Sequence, residues 1–237
     1  MNNVPSVSNA LIIFAKAPRL GTVKTRLQSM LPAKTVRTLY IAFVRDTLAM
    51  VQRVRDVQRT IIAFTPADGA PLFRRAIGRA ADGFEFIPQA GRDLGERMRH
   101  AFTQSAAEGS KRTVIIGTDS PSLPPRSVEE AFAVLARNDL VLGPSTDGGY
   151  YLIGVRRQRS EVRMRFLTSG IEWSTDRVLE QTVIAARRAK LKIRLLAPWY
   201  DVDDETSLQF LRTHLKALAA CGSPELSQHS WRVLRQL

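Results

Sequence analysis

The sequence predicts an α/β fold, a three-layer αβα sandwich whose mainly parallel, mixed sheet contains one antiparallel strand. Three observations predict it. Apolar runs bounded by turn residues recur along the chain, and most are continuously apolar rather than alternating, as in strands covered on both faces. Between several of them lie stretches of helical periodicity, and alternating strands and helices build parallel βαβ units. In "DLVLGPSTDGGYYLIGV" only a short turn separates two runs, which reads as a hairpin and supplies the antiparallel strand.

In chain order the strands are "ALIIFAK", "RTIIAFTP", "FEFIPQ", "RTVIIGTD", "DLVLGPS", "YYLIGV" and "KIRLLAP". The helices among them are "AKTVRTLYIAFVRDTLAMVQRV", "LGERMRHAFTQSAAE", "PRSVEEAFAVLAR" and "STDRVLEQTVIAARRAK". After the last strand, "DETSLQFLRTHLKALAAC" reads as a helix capped by Asp204, and "PELSQHSWRVLRQL" as a second helix packed on the outside. Residues 10–222 are expected to form a single catalytic domain, with a disordered or loosely packed segment 1–9 before it and a helical extension 223–237 after it.

A length of 237 residues with 44% hydrophobic content supports a sizeable core. No segment approaches the roughly 20 unbroken apolar residues of a membrane helix, and "MNNVPSVSNA" lacks the basic start and apolar centre of a secretory signal, so a cytoplasmic location is expected. Cys221 stands alone, which excludes an internal disulfide and a cysteine zinc site. The net charge of +13 suits an anionic partner, but the few aromatic residues do not interleave with the basic runs as on a base-stacking surface. A phosphate-rich small molecule is therefore expected, and no specific nucleic acid.

Ligands of such sheets bind beyond the carboxyl ends of the strands, and four of those ends carry chemistry. "FAKAPRLGTVKTRL" joins a glycine, Gly21, to the cations Lys16, Lys24 and Arg26, which is either a phosphate-binding loop or an ordinary solvated one. It is not a Walker A motif, and it contains no GxGxxG. "PQAGRDLGERM" leads into a helix whose first turn holds Asp93, Glu96 and Arg97; the acids complement the helix dipole, or the exposed N–H groups receive a base or sugar. "IIGTDSPSLP" ends a buried strand on Asp119, and Ser127 is a nearer cap for the next helix, so Asp119 is free to face a cleft. "STDGGYYLIG" and "PWYDVDDET" bring Asp147, Asp201 and Asp203, with Asp147 suited either to a hairpin turn or to a general base. Hard cations such as Mg²⁺ are commonly held by one or two carboxylates plus substrate phosphates, a pattern that Asp119, a second acid and a diphosphate satisfy.

Taken together, "LIIFAKAPRLGTVKTRL", "DLGERMRHAF", "IIGTDSPSLP", "VLGPSTDGGYYLIG", "EWSTDRVLEQT" and "DVDDETSLQFL" resemble, in this order, a bacterial family of glycosyltransferase-like proteins. Its members have the GT-A, or nucleotide-diphospho-sugar transferase, fold and are often grouped with radical-SAM/selenodomain proteins. The resemblance covers about residues 10–211. Sugar transferases and nucleotidyltransferases, among them the molybdopterin and 2-phospho-lactate guanylyltransferases, share the wider superfamily.

The resemblance implies that Lys16, Gly21, Lys24 and Arg26, with Asp93 and Arg97, contact the nucleotide. It also implies that Asp119, Asp201 and Asp203 bind Mg²⁺ or Mn²⁺. Two positions depart from the pattern: Asp204 replaces the usual Thr after the "DVD" segment, and Arg92 replaces a small residue before "DLGERM". Asp119, Asp147 and Lys24 are the expected catalytic residues. The expected activity is metal-dependent glycosyl transfer from a nucleotide-diphospho-sugar to a small, acidic or phosphorylated acceptor. The alternatives are a nucleotidyltransferase joining a nucleoside triphosphate to a small phosphorylated acceptor, and a nucleotide-binding protein without turnover. "RRQRSEVRMRFLTSGIEW" is either a lid or acceptor site whose arginines meet an acidic acceptor, or a solvated loop.

Overall fold

Each of the seven apolar runs becomes a strand of one sheet. The computed structural model describes residues 8–157, 161–168 and 170–237. In chain order the main elements are β1 (Asn9–Lys16), α1 (Ala33–Val51), β2 (Arg59–Thr65), α2 (Ala70–Ile77), β3 (Glu85–Pro88), α3 (Leu94–Ala107) and β4 (Arg112–Ile116). There follow α4 (Pro125–Val134), β5 (Leu140–Pro144), β6 (Tyr150–Arg156), α5 (Val178–Arg188), β7 (Ile193–Leu195), α6 (Glu205–Ala220) and α7 (Gln228–Leu234). Across the sheet the order is β3-β2-β1-β4-β6-β5-β7. Neighbours are parallel except at β6, which runs antiparallel to both β4 and β5.

Side-chain alternation along the central strand sorts the helices. Leu11 and Ile13 of β1 face a core completed by Tyr40, Val44 and Leu48 of α1, Phe73 of α2 and Phe132 of α4. Ile12, between them, faces Met98 and Phe102 of α3 and Ala186 of α5. The continuous apolar runs thus serve two faces at once, which gives three layers. A third apolar cluster lies outside the sandwich, where α1 packs through Val36, Leu39 and Phe43 against Leu208, Leu211 and Leu215 of α6 and Leu234 of α7. Covered on two sides, α1 is buried at most of its positions.

That outer joint contains a buried acid. Asp46 of α1 accepts hydrogen bonds from the backbone N–H of His229 (2.9 Å) and of Ser230 (2.7 Å) and from the Ser230 hydroxyl (2.5 Å). These are the first-turn donors of α7, so a side chain 183 residues away caps that helix. Burial raises the Asp46 carboxyl above its ordinary range, against the pull of these donors.

Ser127 does not cap α4: Pro124 is the N-cap and Pro125 opens the helix, leaving Ser127 inside it, because a proline at the first position needs no N–H partner. The helix α2 was not foreseen, since Pro71 and the glycines at 69 and 78 mask its apolar pair Phe73 and Ile77. Residues 1–7 of the expected loose N-terminus lie outside the described residues, while Asn9 is buried at the start of β1. Asp204 does cap α6, in a capping box with Ser207. Among the described residues no helix is long and apolar enough to cross a membrane.

Candidate active site

The carboxyl ends of β1 and β4 and the amino end of β6, with the turn before it, line a cleft of about 680 Å³. Because Ile13 pairs with Ile116, the chains leaving β1 and β4 run side by side toward Lys16 and Asp119. Tyr40 of α1 fixes that end: its hydroxyl donates to the Lys16 carbonyl and accepts from the Lys16 N–H, both at 2.9 Å. Burial pushes the Tyr40 hydroxyl up to about 12, with the nearby Asp119 charge acting the same way, so it stays a neutral hydrogen-bonding group. Nothing in the sequence marked Tyr40, which reads there as one more residue of the apolar stripe of α1.

Lys24 lies at the centre of the cleft floor. Its Nζ meets Asp119 Oδ1 at 2.6 Å and Asp203 Oδ1 at 2.7 Å. The lysine side chain is only 4% exposed, whereas the two carboxylates are 45% and 38% exposed and face the opening. Burial lowers the ammonium pKa, but the charges of Asp119 and Asp203 outweigh it and hold the group above its ordinary value. Lys24 therefore remains a cation. Its backbone is in the left-handed region, φ 46° and ψ 49°, which a non-glycine residue adopts at a cost of about 1 kcal/mol or more.

Asp201 behaves differently from Asp203, two residues on. One of its oxygens accepts from the Ser120 hydroxyl and the other from the Ser145 hydroxyl, at 2.8 Å for Ser145. It thereby ties the loops after β4 and β5 to the segment before α6. Burial pushes its carboxyl up to about 6; the neighbouring charges of Asp119 and Asp147 add to this and the serine donors oppose it. Ser120 and Ser145, like Tyr40, escaped the sequence reading.

The remaining expected residues fall into two groups. Lys16 and Arg26 line the cleft and are exposed, with Lys16 Nζ donating to the Thr22 carbonyl at 2.7 Å across the loop that carries Gly21. Asp147 also lines the cleft, but its Oδ1 accepts from the Gly149 N–H at 2.9 Å, the bond of a turn. Gly148 beside it has φ +87°, and a Cβ there would lie 2.1 Å from the Asp176 carbonyl oxygen, so the hairpin is locked against the segment entering α5. Asp93 and Arg97 do not line this cleft, whereas Leu94 and Met98 beside them do. Asp93 caps α3 through the Glu96 N–H (2.8 Å), and Arg97 donates to the Gly91 carbonyl (3.2 Å) and lines a smaller hollow of about 220 Å³ between β2, β3 and α3.

The candidate lid straddles residues 158–160 and 169, which lie outside the described residues. Within the described part, Met164, Phe166 and Leu167 are buried against α3. Gly95 permits this approach, since a Cβ there would lie 2.0 Å from the Leu167 carbonyl oxygen. Trp173, Ser174, Thr175 and Asp176 continue the segment along the cleft wall.

Among the described strands the sheet reverses at β6, with an acidic and basic cleft at its carboxyl edge, and this is the architecture of the nucleotide-diphospho-sugar transferase superfamily, to which the chain belongs. The chain belongs to the family described as uncharacterized protein conserved in bacteria (DUF2064), whose model matches residues 47–175.

It is similar to a protein from Desulfovibrio desulfuricans G20 provisionally described as a nucleotide-diphospho-sugar transferase, with a TM-score of 0.81 and 33% identity, over 96% of this chain and 97% of that one. The phosphoenolpyruvate guanylyltransferase of Mycolicibacterium gilvum (strain PYR-GCK) is 30% identical over 135 residues, 57% of this chain and 60% of that protein. The match thus spans about three fifths of that curated relative. The 4-diphosphocytidyl-2C-methyl-D-erythritol synthase of Anaerococcus prevotii DSM 20548 shares the fold alone, with a TM-score of 0.61 and 12% identity over 89% of this chain and 99% of that one.

Proposed function

We propose that the protein is a divalent-metal-dependent nucleotidyltransferase that joins a nucleoside triphosphate to a small acceptor already carrying a phosphate or carboxylate oxygen. The observation that carries this reading is the Lys24 ammonium held between Asp119 and Asp203 on the floor of the cleft, beside the exposed cations Lys16 and Arg26. Such a cluster suits a polyphosphate together with a cation.

The donor set fits a hard divalent ion only with help from the ligand. Among the described residues no group of three His, Cys, Asp or Glu side chains is placed to hold a metal ion. Asp119 and Asp203 would hold Mg²⁺ or Mn²⁺ with phosphate oxygens completing its shell, and the ion would supply Lewis-acid stabilisation of phosphate charge. Asp201, occupied by two serines, positions the loops rather than joining that pair.

An acceptor oxygen attacks the α-phosphorus of the triphosphate, the bond from that phosphorus to the bridging oxygen breaks, and pyrophosphate leaves. Lys24 and Arg26 face the charge that builds on the leaving oxygens. No base is needed, because the acceptor is already an anion. Glycosyl transfer to a hydroxyl does need one, and Asp147, the expected base, has one oxygen committed to its own turn.

The decisive assay follows pyrophosphate release from GTP, CTP, UTP and ATP with phosphoenolpyruvate as acceptor, with and without Mg²⁺ or Mn²⁺. Release with GTP is the expected result. Thermal stabilisation by nucleotide sugars alone, with no pyrophosphate from any triphosphate, sinks the reading. That outcome would favour the second reading, glycosyl transfer, which the 33% identity to the Desulfovibrio protein supports.

A further inference from the structure

Lys24 bridges the two carboxylates that would hold a divalent ion. Its Nζ touches one oxygen each of Asp119 and Asp203, which come from loops on different strands. Without a cation between them these carboxylates would repel across the opening. An ammonium has three donors, and among the described residues the two carboxylates take two of them, which leaves one for an anion arriving in the cleft. The lysine lies beneath the carboxylates rather than beyond them, nearly sealed from solvent while they are open to it.

From this geometry we infer that Lys24 is an internal stand-in for the divalent ion. Without nucleotide it would pair the two carboxylates and exclude a metal. When a nucleotide binds, its phosphates take over the ammonium, the Asp119 and Asp203 oxygens are released, and the metal enters. The inference rests on the proposed nucleotide and metal site and adds an order of events: nucleotide gates metal.

Two further features agree with it. Protein ligands alone do not form a metal cage among the described residues, so metal affinity has to be completed by the same phosphates that draw off Lys24. Lys24 also sits in a left-handed backbone conformation within an exposed loop, a strained state of the kind that persists only where surrounding contacts hold it.

The test titrates Mn²⁺ into wild type and Lys24→Met, counting free ion by electron paramagnetic resonance, without nucleotide and with saturating GDP against a protein-free GDP blank. Lys24→Met is expected to bind Mn²⁺ alone at least tenfold more tightly than wild type. GDP is expected to tighten Mn²⁺ binding at least tenfold in wild type and by a clearly smaller factor in the variant, where the phosphates still complete the shell but no ammonium has to be drawn off. Equal Mn²⁺ affinity of the two proteins without nucleotide, or no effect of GDP on wild type, overturns the inference.

If Lys24→Met does not fold, Lys24→Gln, which keeps a polar side chain without the charge, takes its place in the same nucleotide-free comparison with wild type. Thermal shift with GDP reports separately on the nucleotide site: no shift counts against the proposed function, while the nucleotide-free comparison still judges the stand-in. Mn²⁺ that binds neither protein under any condition overturns both.

Discussion

Two places in this molecule hold charged side chains away from bulk water, and they are built in opposite ways. Asp46 meets two backbone N–H groups and a hydroxyl, all contributed by the first turn of α7, so its surroundings are complete. Lys24 meets two carboxylates that are themselves half open to a cleft, so its surroundings are finished on one side only. The first arrangement joins helices. The second is a joint left open toward a ligand, which is what separates a functional charge cluster from a structural one.

Substitutions can break or sharpen that contrast. The largest effect is expected from Asp119→Asn, which should lower turnover by about 100-fold or more while leaving the melting temperature within a few degrees of wild type. A large fall in stability with little loss of turnover would place Asp119 on the structural side. Asp46→Ala should do the reverse, destabilising the fold by about 3 kcal/mol because two first-turn N–H groups of α7 lose their acceptor, with kcat per folded molecule unchanged. Urea unfolding followed by circular dichroism reads the first quantity, and steady-state kinetics the second.

A smaller effect, about 1 kcal/mol, is expected from Asp204→Ala, which removes an exposed cap of α6 and its bond from the Ser207 hydroxyl. A loss as large as that of Asp46→Ala would mean that burial is not what distinguishes the two caps.

The smallest effect is on the pH dependence of stability. The folded Asp46 carboxyl titrates above its unfolded value, so its contribution is present in full below the ordinary carboxylate range and is lost as pH rises through the raised folded value. Wild type should therefore lose stability over that window relative to Asp46→Asn, whose side chain does not ionise. Parallel curves for the two proteins would show that Asp46 titrates normally.

Much of this architecture was legible in the sequence, for identifiable reasons. All seven strands announced themselves because continuous apolar runs such as "ALIIFAK" have few other homes, and the short turn at 145–149 marked the one reversal. The order of strands was not readable, since it depends on which crossovers pass over which face. The carboxylates Asp119 and Asp203 could be nominated from their places at strand ends. Their meeting on Lys24 was not, because the lysine and Asp203 are 179 residues apart.

Asp201 and Asp203 looked interchangeable in "DVD". What divides them is the pair of serines on neighbouring loops, and serines near turns carry no signal of their own. Asp93 shows the limit from the other direction: its helix-start position was plain in the sequence, and in the structure its carboxylate serves that helix.

The reversal at β6 has a consequence for access. A strand that runs with its neighbours must be followed by a crossover that climbs back over a face of the sheet, bringing a helix past the rim each time. Because β6 runs the other way, the turn at 145–149 reaches the carboxyl edge and descends at once, with no helix of its own to shade the mouth. The cleft is thus bordered there by a five-residue turn rather than a crossover, and what closes over that turn is the segment entering α5, which packs on Gly148.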